Sequence, residues 1–188
     1  MDERPRELDD VPHVADLKPV AIEHAGAGTW AEFGVYRGNS ARHWLNHMPD
    51  NTHLHLFDSF EGLPEYWDIV GDGNPREINM FKVQEHEIPV FHGSRSTMHR
   101  GLFADTLPKA DMGVLSFVNI DCDLYSSTVT VLEHIEVEPG TIMIFDEYHG
   151  YPNYRAHERK AYFEWSERTG YKLDWIATAH WGALGVVV

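Results

Sequence analysis

The stretch Val118–Thr128, V-N-I-D-C-D-L-Y-S-S-T, constrains the fold of this chain most strongly. An apolar run over Val114–Ile120 ends in two acids, Asp121 and Asp123, and a helix start follows, with Ser126 or Ser127 as its predicted cap. A buried strand that ends in polar groups and turns into a helix is typical of α/β proteins. These proteins bind ligands in the crevice at the carboxyl ends of parallel strands.

A second stretch, Thr141–Tyr148, repeats the pattern of an apolar run followed by acids, here Asp146 and Glu147. If the two strands are neighbours, their ends lie roughly 5 Å apart. Carboxylates crowded at that spacing are costly unless a cation lies among them. Because carboxylate oxygens suit hard cations, the set Asp121, Asp123, Asp146 and Glu147 favours a site for Mg²⁺, Ca²⁺ or Mn²⁺; the alternative is that these strand-end acids only cap helices.

Composition bounds the class of protein. The chain has 188 residues, a formal net charge of −15 and one cysteine. We expect a single domain over residues 1–188, with residues 1–28 as an N-terminal cap segment. The negative charge argues against a nucleic-acid or membrane partner. No apolar run approaches the roughly 20 residues of a membrane span, and the charged N-terminus lacks a signal-peptide core, so we predict a cytoplasmic location.

The rest of the chain alternates predicted strands and helices. Strands are expected over Thr29–Tyr36, Thr52–Phe57 and Ile88–Phe91, in addition to the two that end in acids. Helices are expected over Val14–Ala25, from Asn39 or Ser40 to Met48, near Ile78–Glu85, over Thr97–Phe103, after Ser126 or Ser127, and over Arg155–Arg168. Lys172–Ala179 and Ala183–Val188 predict a closing antiparallel pair, because their joint is too short for a parallel crossover. The alternation indicates an α/β fold.

Further residues with candidate roles lie at predicted strand ends. Gly34 and Gly38 join the first strand to its helix, and glycines there would let a ligand approach the backbone. Glu32 beside them suits a cationic or amino-bearing ligand. Asp58 ends the second strand, where an acid commonly holds ribose hydroxyls. His53 and His55 share one face of that strand, which more often means packing than ligation.

Five motifs in order resemble the macrocin O-methyltransferase family. They are E-F-G-V-Y-R-G-N-S, F-D-S-F-E-G-L-P, F-x-x-T-L-P at Phe103–Pro108, I-D-C-D-L-Y-S-S-T and F-D-E-Y, and they cover about Trp30 to Trp165. The resemblance implies a Rossmann-like, doubly wound seven-stranded sheet that is mostly parallel, with a terminal antiparallel strand. It also implies S-adenosylmethionine as cofactor, Mg²⁺, and a sugar or natural-product hydroxyl as acceptor. A homodimer is compatible with it.

The resemblance also implies roles for individual residues. Asp121 and Asp123 would be the catalytic acids, one of them the general base, and Asp121, Asp146 and Glu147 the metal ligands. The cofactor would contact Glu32, Gly34, Gly38, Ser40, Asp58, Ser59, Ser94 and Asp121. Two other functions stay open from the residues alone. One is a metal-dependent glycosyltransferase that uses the D-x-D motif, and the other is a non-catalytic module that binds S-adenosylmethionine.

Overall fold

A seven-stranded sheet with helices on both faces forms the molecule. The computed structural model describes residues 7–71 and 79–188. The strands are β1 (Thr29–Phe33), β2 (His53–Asp58), β3 (Ser96–Arg100), β4 (Val114–Ile120), β5 (Glu136–Phe145), β6 (Leu173–Ala179) and β7 (Gly182–Val187). The helices are α1 (Leu17–His24), α2 (Asn39–His47), α3 (Phe103–Thr106), α4 (Tyr125–His134) and α5 (Glu158–Thr169). Short 3₁₀ turns lie at Leu8–Asp10, Glu85–Glu87, Leu107–Lys109 and Tyr154–Ala156.

The strand order is β3-β2-β1-β4-β5-β7-β6. Strands β1 to β5 are parallel to one another, and β7 is antiparallel to both β5 and β6. The expected fold class and the closing antiparallel pair are therefore confirmed. The chain reverses direction across the sheet between β1 and β4, and this is the switch point at which open α/β sheets bind ligands.

The core forms two layers because side chains alternate across each central strand. On one face, Trp30 and Phe117 pack with Trp44 of α2 and Ala21 of α1. On the opposite face, residues such as Val118 pack with α4 and α5 through Val131, Leu132, Ala161, Tyr162 and Trp165. Both faces of β1, β4 and β5 are thus covered, which leaves the strand ends as the route by which a ligand can reach them. In the described part of the chain, no helix combines the length and apolar character needed to cross a bilayer.

The segment from Ile88 to Phe103 differs from the sequence-based expectation. Ile88–Phe91 is not a strand, and residues Thr97–Arg100, expected to be helical, belong to β3. Strand β3 is the edge of the sheet and its side chains are exposed or half-buried, so no apolar run marks it in the sequence. The apolar Ile88–Phe91 segment packs instead beside Gly38, at the start of α2.

The prediction of a helix near Ile78–Glu85 is also wrong over residues 79–85, the part of this range that the structure describes. Ile78 lies outside the described residues, Asn79 and Phe81 have positive φ values of 68° each, and only a 3₁₀ turn follows at Glu85–Glu87. Two expected helix caps differ as well. Gly38 caps α2 and Leu124 caps α4, in both cases without a side-chain hydrogen bond.

Candidate active site

Glu32 is a fully buried acid near the end of β1. One carboxylate oxygen accepts a hydrogen bond from the hydroxyl of Ser40 in α2. The other oxygen has no partner within residues 7–71 and 79–188. Burial raises the pKa of Glu32 from 4.5 to about 8, and the charge of Asp58 adds to the rise. An unpaired buried acceptor is costly, so Glu32 indicates a position where a ligand supplies a donor or a positive charge.

Gly34 and Gly38 have internal roles in the loop after β1. A Cβ on Gly34, whose φ is +97°, would lie 1.6 Å from the carbonyl oxygen of Asp121, so only glycine allows the two strand ends to approach. A Cβ on Gly38, at φ +76°, would lie 2.9 Å from Pro89 and from Phe91. Packing within the chain therefore requires both glycines. Their predicted contact with a cofactor stays a prediction. Gly34 also lines a cavity of about 440 Å³ at the carboxyl ends of the central strands, which is called the main cavity.

Asp58 at the end of β2 holds that same loop. Its carboxylate accepts hydrogen bonds from the backbone N–H groups of Val35 at 2.8 Å, Tyr36 at 2.7 Å and Phe60 at 2.7 Å. These bonds fix the turn between β1 and α2 against the end of β2. Asp58 and Ser59 still line the main cavity, so both remain available to a ligand.

The acid cluster, defined as Asp121, Asp123, Asp146 and Glu147, follows the neighbouring strands β4 and β5. These strands are parallel and pair Ile120 with Phe145, which brings the acids that follow them together as the sequence predicted. One carboxylate oxygen each from Asp121, Asp146 and Glu147 lie within 4.8 Å of one another. Asp123 has a φ of 62°, in the left-handed region that non-glycine residues rarely adopt.

Burial and mutual repulsion shift the titration of the acid cluster. Burial raises the pKa of Asp121 and of Glu147 well above their usual values, and neighbouring carboxylates add to both shifts. Burial likewise raises the pKa of Asp123 to about 7, with Asp146 and Asp58 contributing. One oxygen of Glu147 is buried without a hydrogen-bond partner in the described part of the chain. Three converging carboxylates with an unsatisfied oxygen fit a hard divalent cation, whose charge would offset this repulsion.

Glu158 belongs to the same region, and the sequence-based prediction missed it. It is the first residue of α5 and is fully buried. Its carboxylate accepts hydrogen bonds from the backbone N–H of Cys122 at 3.4 Å and of Glu147 at 3.1 Å, so it joins the loops after β4 and β5. A signal was present, because Glu158 shares helical spacing with the buried residues Ala161, Tyr162 and Trp165. A charge on the apolar face of a helix needs partners.

Two cavities meet at the acid cluster. The larger, the main cavity, has a volume of about 440 Å³ and is lined by residues at or after the carboxyl ends of β1, β2, β3, β4 and β5, among them Asp58, Leu102, Phe103, Asp123 and Ser127. The smaller has a volume of about 330 Å³ and lies on the α1 side, and Asp121 and Asp146 line both cavities. The crevice predicted at the carboxyl ends of the central strands is therefore present. It has room for a ligand on each side of two candidate metal ligands.

Comparison with known proteins identifies the family. The model of the family described as macrocin O-methyltransferase (TylF) matches residues 11–178. The chain belongs to the macrocin O-methyltransferase family.

Two curated relatives of this chain have names that specify a reaction. The chain is 32% identical over 143 residues to 8-demethyl-8-(2,3-dimethoxy-α-L-rhamnosyl)-tetracenomycin-C 4′-O-methyltransferase of Streptomyces olivaceus, across 64% of this chain and 53% of the relative. It is 30% identical over 151 residues to mycinamicin III 3″-O-methyltransferase of Micromonospora griseorubida, across 68% and 58%. The chain therefore spans little more than half the length of these relatives.

Solved structures share the fold of the macrocin O-methyltransferase family chain. The O-methyltransferase NovP superposes with a TM-score of 0.70 at 24% identity, covering 90% of this chain and 77% of its own. The calicheamicin methyltransferase CalS11 gives 0.67 at 21% identity, covering 90% and 75%. At these identities, the likeness establishes a common fold.

The structure places Ser94 apart from the other residues that were predicted to contact the cofactor. In β3, which runs parallel to β2, Arg100 pairs with Asp58, whereas Ser94 precedes the strand. Ser94 therefore lies at the amino end of the sheet, away from the crevice. The prediction was wrong because the third strand was placed at Ile88–Phe91. Gly101, Leu102 and Phe103, which follow the true strand, line the main cavity instead.

Proposed function

We propose that the protein is an S-adenosylmethionine-dependent, divalent-metal-assisted O-methyltransferase that acts on a hydroxyl of a sugar or natural-product glycoside. The observation that carries the proposal is the acid cluster beside Glu32 and the loop after β1, at the switch point of the sheet. The family model and the names of both curated relatives support O-methyl transfer. Because the relatives methylate sugar-bearing compounds by name, a glycoside is the acceptor class that we favour.

The cofactor would lie over the ends of β1 and β2. Its amino group would give Glu32 the partner that the second carboxylate oxygen lacks. Asp58 and Ser59 line the main cavity at the position where an acid commonly holds ribose hydroxyls. Gly101, Leu102 and Phe103 would lie near the adenosine in place of Ser94.

The metal would be held by Asp121, Asp146 and Glu147. When bound, S-adenosylmethionine supplies a methyl group on a positively charged sulfur, and a divalent cation stabilises negative charge on the acceptor oxygen. Glu158 fixes the backbone on both sides of this ligand set through its bonds to Cys122 and Glu147. The three ligand carboxylates would then have little freedom to rearrange.

Asp123 is the general base in this proposal. An alcohol is almost fully protonated near neutral pH, so a carboxylate must accept its proton as the new bond to carbon forms. Asp121 is part of the proposed ligand set, whereas Asp123 lines the main cavity outside that set. A pKa of about 7 suits a base that operates near neutral pH. Cys122 does not compete as a nucleophile, because burial raises the pKa of its thiol well above the usual value.

The apolar part of the main cavity would exclude water and orient the acceptor. Leu63, Pro64, Leu102 and Phe103 contribute to its lining, beside the hydroxyls of Ser126 and Ser127. Alignment of the acceptor oxygen with the methyl group can contribute roughly 7–11 kcal/mol to lowering the barrier. A sugar, with apolar ring faces and several hydroxyls, matches a lining of this kind.

The test measures transfer and binding together. The purified protein is incubated with S-adenosylmethionine, Mg²⁺ and a panel of deoxysugar glycosides or their aglycones, and products are analysed by mass spectrometry. We expect glycosides, but not aglycones, to gain one methyl group, with activity lost in excess EDTA and restored by Mg²⁺. Thermal-shift titrations compare S-adenosylhomocysteine with nucleotide sugars. Stabilisation by a nucleotide sugar alone, with no methylated product, would overturn the proposal in favour of a glycosyltransferase.

A further inference from the structure

A third cavity, called the α5 cavity, is separate from the two cavities at the acid cluster. It has a volume of about 1160 Å³ and is lined by the chain before α1, the loop after β5, helix α5 and strand β6. Among the described residues, none lines both the α5 cavity and either of the other two. Six aromatic side chains contribute to its lining, namely Tyr148, Tyr151, Tyr154, Tyr162, Phe163 and Trp175. The proposed methyl transfer gives this cavity no role.

Arg159 in α5 is a half-buried cation bordered by aromatic rings. Its guanidinium carbon lies 5.3 Å from the ring centroids of Tyr148 and of Tyr154, and 5.5 Å from that of Phe163. Within residues 7–71 and 79–188, this guanidinium has no hydrogen-bond or ion-pair partner. Ring faces at these distances attract a cation and so hold it in position. The five N–H donors of its planar fork, which match the geometry of a carboxylate, are therefore available to a ligand.

The lining of the α5 cavity carries an excess of positive charge. Arg155 and Lys172 line it in addition to Arg159. Glu7 and Asp9 line it too, but neither forms an ion pair within the described part of the chain. Three basic residues against two acidic ones give the lining a formal charge of +1, whereas the whole chain carries −15. An anion therefore meets less repulsion here than the net charge of the chain would impose.

We propose that the α5 cavity is a second ligand site, which binds a planar aromatic carboxylate. The carboxylate would accept two parallel hydrogen bonds from the guanidinium of Arg159, a pairing that is stronger than a neutral hydrogen bond. The aromatic ring would pack against Tyr154 and Phe163, whose own rings are half-buried and 48% exposed respectively. An uncharged aromatic molecule would leave the guanidinium without an acceptor, and a small inorganic anion would leave the rings uncovered.

The size of the α5 cavity bears on the ligand as well. Small-molecule sites commonly have volumes of roughly 300–1,000 Å³, and this cavity is at least as large. A bicyclic carboxylate therefore fits with room for further substituents. The inference goes beyond the proposed function, because neither the cofactor, the metal nor the acceptor hydroxyl would occupy this cavity.

The test uses three probes that separate charge from ring. They are 2-naphthoate, its uncharged amide 2-naphthamide, and cyclohexanecarboxylate, which keeps the charge without a flat ring. Dissociation constants are measured by isothermal titration calorimetry on the full chain at pH 7, with S-adenosylhomocysteine in excess to occupy its own site. We expect 2-naphthoate to bind at one site, and 2-naphthamide to bind at least about tenfold more weakly, in the range of a lost hydrogen bond to a charged group. Cyclohexanecarboxylate should bind roughly threefold or more weakly than 2-naphthoate, because it lacks the aromatic contacts.

Matched variants assign the binding to the α5 cavity. Arg159→Met keeps an apolar stem among the rings but removes the fork, so it should weaken 2-naphthoate at least about tenfold and leave 2-naphthamide unchanged. Arg168→Met removes an exposed arginine of the same helix that does not line the cavity, and should change either affinity by less than about twofold. Phe163→Leu alters an exposed ring, so folding is not at risk, and it should weaken 2-naphthoate more than cyclohexanecarboxylate.

Three results would overturn the proposal. They are the absence of saturable 2-naphthoate binding, equal affinities for 2-naphthoate and 2-naphthamide, and equal 2-naphthoate affinities in Arg159→Met and the wild type. Sedimentation velocity without ligand tests the other occupant, a second copy of the chain. We expect the wild type, Arg159→Met and Phe163→Leu to sediment alike, whereas a wild-type dimer that either substitution dissociates would assign the cavity to the second copy instead. Each of these outcomes leaves the proposed methyl transfer in place.

Discussion

Two groups of titratable side chains in this molecule differ in whether their hydrogen-bonding groups find partners within the protein. The histidine cluster, defined as His53, His55 and His99, lies on one face of β2 and β3. Nδ1 of His55 is 2.9 Å from Nε2 of His99, and Nε2 of His53 is 2.8 Å from the hydroxyl of Thr97. Burial lowers the pKa of His55 to about 4 and also lowers that of His99, so both rings stay neutral. Neutral imidazoles can donate and accept at once, and they satisfy one another.

The hydrogen-bonding capacity of the acid cluster and of Glu32 is only partly satisfied. Ionised carboxylates only accept hydrogen bonds, so two of them can pair with each other only when one retains its proton. Glu32 and Glu147 each retain a buried oxygen without a partner in the described part of the chain. The comparison teaches that crowding of titratable groups does not by itself mark a site. A site is indicated where buried polar atoms are left without a partner in the described part of the chain, as in Glu32 and Glu147 but not in the histidine cluster.

The largest effect is expected from removal of a metal ligand. Asp121→Ala or Asp146→Ala should reduce methyl transfer by at least about 10³-fold, because a bound cation contributes several kcal/mol of charge stabilisation. The dissociation constant for S-adenosylhomocysteine should change far less. His53→Gln, a change in the histidine cluster, should leave turnover unchanged. Initial rates and calorimetric titrations measure both quantities, and near-normal rates in both Asp variants would remove the metal from the mechanism.

A pH-dependent stability difference of about 3 kcal/mol is expected from Glu32. The unfolded chain releases this proton near pH 4.5, whereas the folded chain keeps it to about pH 8. The folded state is therefore favoured below pH 4.5, and this contribution is lost as pH rises towards 8. In the absence of metal and cofactor, Glu32→Gln should remove that loss. Urea unfolding of both proteins at pH 5 and pH 8 measures it, and parallel curves would show that Glu32 is already neutralised within the chain.

Glu158→Gln should weaken metal binding by about 10- to 100-fold, the range found when a residue that supports a metal ligand is changed. A glutamine side chain can accept through one oxygen only, so the N–H of Cys122 or of Glu147 loses its acceptor. Titration of Mn²⁺, followed by electron paramagnetic resonance, measures the affinity without turnover. Glu164→Gln on the same helix is the control, because Glu164 bonds Lys160 and Tyr125 at the surface. Equal affinities in the two variants would leave Glu158 with a purely structural role.

The parts of the site that were predictable follow buried parallel strands. Strand β4 was predicted with its exact bounds because an apolar run of seven residues ends abruptly in Asp121. The adjacency of Asp121 and Asp146 follows from two such strands in succession, since neighbouring parallel strands end at the same edge of the sheet. Local sequence carries this information, because burial on both faces requires continuous apolar residues.

The parts that were not predictable depend on contacts between distant segments. The polar side chains of β3 do not distinguish an edge strand from a helix, so the third strand was predicted at Ile88–Phe91. That error placed Ser94 in the site. The role of Gly34 depends on the carbonyl of Asp121, which is far away in the chain. The spacing of Glu158 on α5 was visible, but its partners on two other loops were not.

The smallest expected effect is a change in the pH dependence of stability at His55, which has the opposite direction from that at Glu32. The unfolded chain protonates His55 near pH 6.5, whereas the folded chain does so near pH 4, so this residue destabilises the folded state as pH falls between those values. Because His55 is only half-buried, solvent screening limits the effect to about 1 kcal/mol. His55→Asn, which can still bond His99 without titrating, should reduce the drop in urea midpoint between pH 7 and pH 5. His24→Asn on the exposed part of α1 is the control. If the drop in urea midpoint is unchanged in His55→Asn, protonation of His55 does not cause it. The proposed contrast between the histidine cluster and the acid cluster would then fail.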